Sequence, residues 1–280
     1  MSNKDLLNNI KKLRELTGVG FKDCKLAIDE CEGDIEKSIE FLRKKGIAKA
    51  SKKMSRTASE GLALIHEESG EIAIIEINSE TDFVAKNKDF ISFCKEILII
   101  CFKEKGNLDK INSANMKNNI SVKENLIDLI AKIGEKIILR RANFFEKKNG
   151  INFSYVHGAI EKNIGKIISI VKLSDSEKTK EVGIKLAMHI AASNPLSIDK
   201  KDLKKDVIDK ELEIIKAEVL NSGKKPEIVD KISQGKLNKF ISENTLLNQA
   251  WIMDPKMKVS DIIKDIKVLE FVRYKVGEGV

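Results

Sequence analysis

Apolar residues near the start of the chain recur three or four positions apart. Leu6, Ile10 and Leu13 predict one face of a first helix, which Gly18 and Gly20 end. Ala27, Ile28 and Cys31 mark a second helix closed by Gly33, and Asp34 caps a third in which Ile35, Ile39 and Leu42 recur before Gly46. Helices of about ten residues are marginal alone, so these apolar faces must pack on one another. Residues 1–45 therefore read as a three-helix unit with a Gly20-Phe21 loop between its first two helices. From Arg43 to Arg56 the chain turns basic, with Lys44, Lys45, Lys49, Lys52 and Lys53 among small residues. This predicts a linker, helical in part.

The pattern then changes period. Gly70 followed by Ile72, Ile74, Ile75 and Ile77 predicts a turn and a mostly buried strand, while Ser79, Thr81 and Asp82 are helix-capping residue types. Phe83 is thus expected to start a helix, and Phe90, Ile91, Cys94, Ile97 and Leu98 continue at helical spacing. Residues 156–193 repeat the plan of residues 61–104, with a turn at Gly165, a strand, and a helix carrying Ile184, Ala187, Met188 and Ala191. An internal duplication fits this repeat. Between the copies, Leu126, Leu129, Ile130, Ile133 and Ile137 predict an amphipathic helix ending near Arg140 and Arg141. The expected class is α+β, with two core halves, 59–145 and 146–280, each a small antiparallel sheet covered by helices.

Beyond Asn194-Pro195, Leu203, Val207, Ile208, Leu212, Ile215 and Val219 precede a break at Gly223 and Pro226. Ile228, Ile232, Leu237 and Phe240 follow, so residues 199–243 read as a projecting helical hairpin. Asn248 to Trp251 and Lys258 to Lys264 return the chain to the core, and Leu269, Phe271, Arg273 and Lys275 predict a closing strand ahead of Gly277.

Composition narrows the function classes. Charged residues form 34% of 280 residues, which favours long solvated helices, and the net charge of +8 favours an acidic partner surface or nucleic acid. Cys24, Cys31, Cys94 and Cys101 form no Cys-x-x-Cys pair and read as reduced core thiols. The residues following Met1 lack the apolar segment of a secretory signal, and the longest apolar run, Ile97 to Phe102, is far short of about 20 residues needed to span a bilayer. A cytoplasmic protein without membrane contact is expected. No phosphate-binding loop, His-Glu-x-x-His or Gly-x-Ser-x-Gly motif is present, and His66, His157 and His189 have no metal-ligand spacing. The reading is therefore not an enzyme of covalent chemistry, with no cofactor and no metal.

Thr81-Asp82-Phe83-Val84-Ala85 resembles the signature of the elongation factor Ts family. The resemblance continues through Leu13 to Gly20, Asp23-Cys24-Lys25, Gly33-Asp34-Ile35-Glu36, Ile133-Gly134-Glu135, His157-Gly158, Met188 to Ser193 and Val276-Gly277-Glu278-Gly279. These segments fall in the family's order along nearly the whole chain. The resemblance implies a ubiquitin-associated-like helical domain over residues 1–50, a basic linker to 58, and a coiled-coil insertion in the second core half. Many members continue with a C-terminal helical module, and this chain, stopping at Val280, is expected to do without it.

The implied function is guanine-nucleotide exchange on elongation factor Tu, with GDP release promoted by displacement of the partner's magnesium. By similarity, Thr81, Asp82, Phe83 and Val84 form the displacing contact, and Lys25, Ile133, Gly134 and His157 add further partner contacts. The residues alone leave other roles open. Phe83, Phe90 and Ile97 share a helical stripe, which places Phe83 on a core face. Gly134 could serve helix packing or close partner approach, and His157 could be an ordinary loop histidine. Phe21-Lys22 departs from the two apolar residues common at that family loop, which predicts a weaker or more electrostatic N-terminal contact. The alternative function is a basic RNA- or ribosome-associated binding protein, and a third is a ubiquitin-like recognition module carried on a scaffold. Against the first alternative, no aromatic interleaves the basic segment to stack on a base, so direct nucleic-acid contact is not expected.

Overall fold

Three helices open the chain, in a computed structural model that describes residues 3–222 and 226–280. They are α1 (Asn3–Thr17), α2 (Phe21–Glu30) and α3 (Ile35–Lys53). Asp34 caps α3 by accepting the Lys37 N–H at 3.0 Å. Ile10, Leu13, Cys24, Ala27, Ile28 and Leu42 pack into one small core. Phe21 is the first residue of α2 and not part of the preceding loop. The basic stretch differs more from expectation, because α3 continues through Gly46 as far as Lys53. Gly46 does not stop the helix.

The first core half contains β1 (Glu60–Glu68), β2 (Glu71–Ser79), α4 (Asp82–Ala85), α5 (Lys88–Lys103), α6 (Leu108–Ser113), α7 (Val122–Ile133) and β3 (Ile137–Phe145). Ser69 and Gly70, both with positive φ, make the two-residue turn of the β1–β2 hairpin. The predicted helix through Ile137 to Arg141 is instead two elements, because Gly134 closes α7 and Ile137 begins β3. The second half contains β4 (Ile151–His157), β5 (Ile164–Gly165), β6 (Ile167–Leu173), α8 (Thr179–Ser193), α9 (Lys205–Asn221) and α10 (Pro226–Asn244). It ends with β7 (Ala250–Trp251), β8 (Asp254–Lys258), α11 (Val259–Ile262) and β9 (Val268–Lys275).

Two antiparallel sheets result, in the orders β3-β2-β1-β5 and β4-β6-β9, with β7-β8 as a small separate pair. Gly165 is not a hairpin turn. It pairs with Ala63, so β5 hands the second half's chain to the edge of the first half's sheet. Leu62, Leu64, Ala73, Ile75 and Ile77 face the helices of the first half, whereas Ala63, Ile65, Ile72 and Ile74 pack with Ile168, Ile170 and Tyr274 of the other sheet. On the far side, Val171 and Leu173 meet Leu186, Ala187 and Ile190 of α8. The order is helix, sheet, sheet, helix. Being covered on both faces explains why Ile72 to Ile77 lacks apolar and polar alternation. Ile184, predicted on the apolar face of α8, is exposed.

A bulge between β2 and β3 builds a buried site at Glu76, to which Gly277 near the chain's end also bonds. Glu76 pairs with Arg141 and Ile77 with Leu139, so β3 carries one extra residue there. Successive strand residues ordinarily point to opposite faces, but the bulge lets Arg140 and Arg141 both reach the Glu76 carboxylate, Arg140 at 3.0 Å. Glu76 is fully buried and also accepts the Gly277 N–H at 3.0 Å. Burial alone would raise its pKa, but the Gly277 N–H and the Arg141 guanidinium outweigh that and hold it below the usual carboxylate range. Thus the Val276-to-Gly279 motif is a lock for the chain's end: a Cβ on Gly277 would lie 2.0 Å from the Ser59 carbonyl oxygen.

The helices α9 and α10 share an apolar strip of Ile215, Val219, Val229, Leu237 and Ile241, flanked by Lys216–Asp230 and Lys236–Glu218 ion pairs at 2.9 and 2.8 Å. The predicted break at Gly223 lies outside the described residues. Among those described, no helix is long and apolar enough to cross a membrane.

Candidate partner-binding site at a strand-to-helix junction

β2 is buried until Ser79, after which the chain must turn outward. Thr81 takes the extended backbone of an N-cap and Asp82–Ala85 makes one helical turn. Its residues divide sharply by burial. Val84 and Ala85 sit in the first-half core, whereas Phe83 is 79% exposed, more than any other large apolar side chain among the described residues. The Asn87 side chain accepts the N–H groups of Asp89 and Phe90 at 2.8 and 3.2 Å and starts α5 afresh. That break resets the helical phase. Phe83 therefore leaves the stripe of Phe90 and Ile97, which are both fully buried. Leaving a phenylalanine in water forgoes about 1.5–3 kcal/mol of burial, which makes Phe83 the candidate contact residue of this turn.

The turn is held by side chains distant in sequence. The Thr81 hydroxyl does not cap α4. It donates to Glu135 Oε1 at 2.7 Å while the Thr81 N–H donates to Glu135 Oε2 at 3.0 Å. In the reverse direction, the Lys136 N–H donates to Glu80 Oε1 at 2.6 Å, and the Arg56 guanidinium lies 3.2 Å from Glu80. Burial would raise the Glu80 carboxyl, but the Lys136 N–H and Arg56 hold it below its ordinary value. Sequence reasoning missed both glutamates as supports. Their only signal was Glu135 in the Ile133-Gly134-Glu135 segment.

Gly134 is not a glycine inside a helix. It ends α7 with φ +90°, and nothing lies within 4 Å of where its Cβ would be. Its requirement is the left-handed conformation that turns Glu135 back toward Thr81. Lys53 bonds the Gly134 carbonyl oxygen, and Ile133 is half-buried beside it. Thr81, Asp82, Phe83, Val84, Ile133 and Gly134 are therefore brought to one seam.

Charge surrounds the displayed ring. The Asp82 carboxylate accepts from Lys86 Nζ at 2.7 Å, and this bond, with the Lys86 and Lys166 charges, holds its pKa below the usual range. Lys166 in turn pairs with Glu60 at 2.6 Å. Lys25 and His157 stand apart from the seam: Lys25 is exposed on α2, and His157 is exposed at the end of β4. His157 Nδ1 is 3.3 Å from the Tyr155 hydroxyl and lines a groove of about 470 Å³ with Met188, Ile252 and Arg273.

Other candidates prove structural. His189 is buried, bonded to Gln249 at 2.9 Å and stacked on Trp251, and burial lowers its pKa. Cys24, Cys94 and Cys101 are buried and Cys31 is half-buried. Burial pushes the Cys101 thiol up to about 12, away from nucleophilic chemistry. Among the described residues no group of His, Cys, Asp and Glu could hold a metal ion.

The segment carrying this seam also carries the likeness to known proteins. The family model described as Elongation factor TS matches residues 80–278. The chain belongs to the elongation factor Ts family. It is 40% identical to an elongation factor Ts of Rickettsia prowazekii (strain Madrid E) over 97% of this chain and 91% of that protein. It is 39% identical to one of Maricaulis maris (strain MCS10) with the same coverage. As a member of the elongation factor Ts family it is a translation elongation factor. The family match begins at Glu80, one of the two glutamates that hold the Phe83 turn.

Proposed function

We propose that the chain is a guanine-nucleotide exchange factor that binds elongation factor Tu with GDP and promotes GDP release so that GTP can bind. The observation that carries this reading is the exposed Phe83 on a turn held from both sides. A partner that binds the nucleotide-free GTPase more tightly than its GDP form must weaken GDP binding by the same factor. Each tenfold weakening requires about 1.4 kcal/mol of differential interaction. Phe83 supplies it as a wedge between partner side chains near the partner's magnesium site, with Thr81, Asp82 and Val84 forming the rest of the contact. Asp82, paired with Lys86 in the free chain, exchanges that partner on docking. Loss of the partner's magnesium removes charge that neutralises the phosphates, and GDP leaves faster.

Ile133 and Gly134 extend this contact, while Lys25 and His157 engage the partner elsewhere. The unit formed by α1 to α3 serves as a ubiquitin-associated-type domain. Helices α9 and α10 form a coiled-coil arm, and the core halves 59–145 and 146–280 form the frame. The protein acts in the cytoplasm, without a cofactor and without covalent chemistry. The RNA-binding alternative loses support because Lys44 pairs with Glu40, Lys45 pairs with Asp23, and Lys53 is bound to Gly134. The side chain of Lys49 lies outside the described residues.

The test is stopped-flow release of a fluorescent GDP from elongation factor Tu with this protein at substoichiometric amounts. The expected result is acceleration with turnover, each molecule discharging many partners. Release at the unstimulated rate overturns the exchange reading.

A further inference from the structure

We infer that Glu135 is a positioning residue for exchange: with Glu80 it forms a reciprocal clamp that fixes the direction in which Phe83 leaves the surface. The inference rests on the exchange reading above. Each of the two carboxylates accepts a backbone N–H from the other's segment, Thr81 to Glu135 at 3.0 Å and Lys136 to Glu80 at 2.6 Å. Glu135 also accepts the Thr81 hydroxyl at 2.7 Å, so its two oxygens fix both the place and the rotation of residue 81. Ser79 Oγ donates to the Thr81 carbonyl oxygen at 2.9 Å. The N–H, carbonyl and hydroxyl of Thr81 are then all engaged two residues before Phe83.

At the other end Val84 and Ala85 are anchored in the core. A one-turn helix has few bonds of its own, and without these anchors the exposed ring would sample several directions. Fixing it before encounter removes an ordering cost from the productive complex. The clamp also reaches the end of α3, because Glu80 holds Arg56 and the Gly134 carbonyl holds Lys53. Lys136 Nζ closes the circuit by donating to the Arg56 carbonyl oxygen at 2.7 Å.

A double-mutant cycle of Glu135→Gln and Phe83→Ala tests this. It is read as the plateau rate of stimulated GDP release at saturating factor, with the half-saturating concentration measured separately. Glutamine keeps the shape but turns an amide donor toward one of the Thr81 donors. The clamp predicts a plateau about tenfold lower for Glu135→Gln, the scale of a lost charge-assisted hydrogen bond. The half-saturating concentration should move less than about twofold, since the wedge acts in release more than in docking. In the Phe83→Ala background, Glu135→Gln should cost less than about twofold, because its effect runs through the ring. Equal losses in both backgrounds overturn the clamp, as does a parent-like Glu135→Gln plateau beside a slow Phe83→Ala. A parent that fails to accelerate release overturns the exchange reading instead. The clamp is then judged by amide hydrogen exchange at Thr81: about tenfold faster exchange in Glu135→Gln upholds it, and unchanged exchange overturns it.

Discussion

The chain passes twice from a buried strand into a covering helix, and it finishes the two passages differently. After β2, the junction is tied by Glu135 from another part of the chain, and Phe83 is left in solvent. After β6, the junction is closed by Lys267, 93 residues away, and by Thr179 at the start of α8. The Ser174 N–H donates to the Lys267 carbonyl oxygen, and the Lys267 N–H returns to Ser174 Oγ, both at 2.9 Å. Thr179, fully buried, donates to the Ser174 carbonyl oxygen at 2.8 Å. Both junctions satisfy their backbone polar groups, as buried backbone must. Both draw a partner from the residues just before the neighbouring strand, Glu135 before β3 and Lys267 before β9, and they differ in what the turn leaves exposed. After β2 the large apolar Phe83 stands in solvent, whereas after β6 the exposed positions are charged and Thr179 turns inward to Ser174. Of two similar strand-to-helix passages, one thus leaves an aromatic ring in solvent while the other folds its turn residue back into the core.

The largest expected effect comes from removing what the two halves share. Glu76→Gln leaves Arg140 and Arg141 without their buried carboxylate and should lower stability by about 3 kcal/mol, read as a shift in denaturant midpoint. The sign with pH follows from the lowered Glu76 pKa. Its contribution is present above the unfolded value of about 4.3 and is lost as pH falls toward the folded value. The parent's stability should thus drop on acidification below about pH 4 more steeply than that of Glu76→Gln.

Next is the junction after β6. Thr179→Val strips a buried hydroxyl from the Ser174 carbonyl and should cost about 2 kcal/mol of stability, while stimulated GDP release at 25 °C stays at the parent's rate. A loss of release without loss of stability would erase the contrast between the junctions. The smallest effect concerns neither junction and serves as a control. Ser233 is buried in α10 with an unpartnered hydroxyl, so Ser233→Ala should raise stability by a few tenths of a kcal/mol and leave release unchanged.

Much of this architecture was legible from spacing alone, where the signal is local. Ile72 to Ile77 announced a buried strand, and the helical faces of α1, α2 and α5 followed their apolar residues. What stayed hidden depended on contacts between distant segments. Gly46 looked like a helix stop because a glycine weakens a helix, but in α3 it fits against α7, where its Cβ would meet the Ala131 Cβ at 3.2 Å. Gly165 looked like a turn until the other sheet's edge was there to pair it. Phe83 lined up with Phe90 because periodicity assumes one continuous helix, and Asn87 breaks it. The Glu135 support was invisible because it closes a separation of 54 residues. Glycines and isolated aromatics are thus the positions where local pattern misleads, since their roles are set by what the fold brings beside them.

The central claim is that Phe83 is displayed for a partner and contributes nothing to the fold. Its most direct test is the plateau rate of GDP release from elongation factor Tu stimulated by Phe83→Ala, measured beside the thermal midpoint of the same sample. The account predicts release at least about tenfold slower than the parent's, equivalent to about 1.4 kcal/mol, with an unchanged midpoint. Parent-like release, or a slowing matched by a lower midpoint, would contradict it.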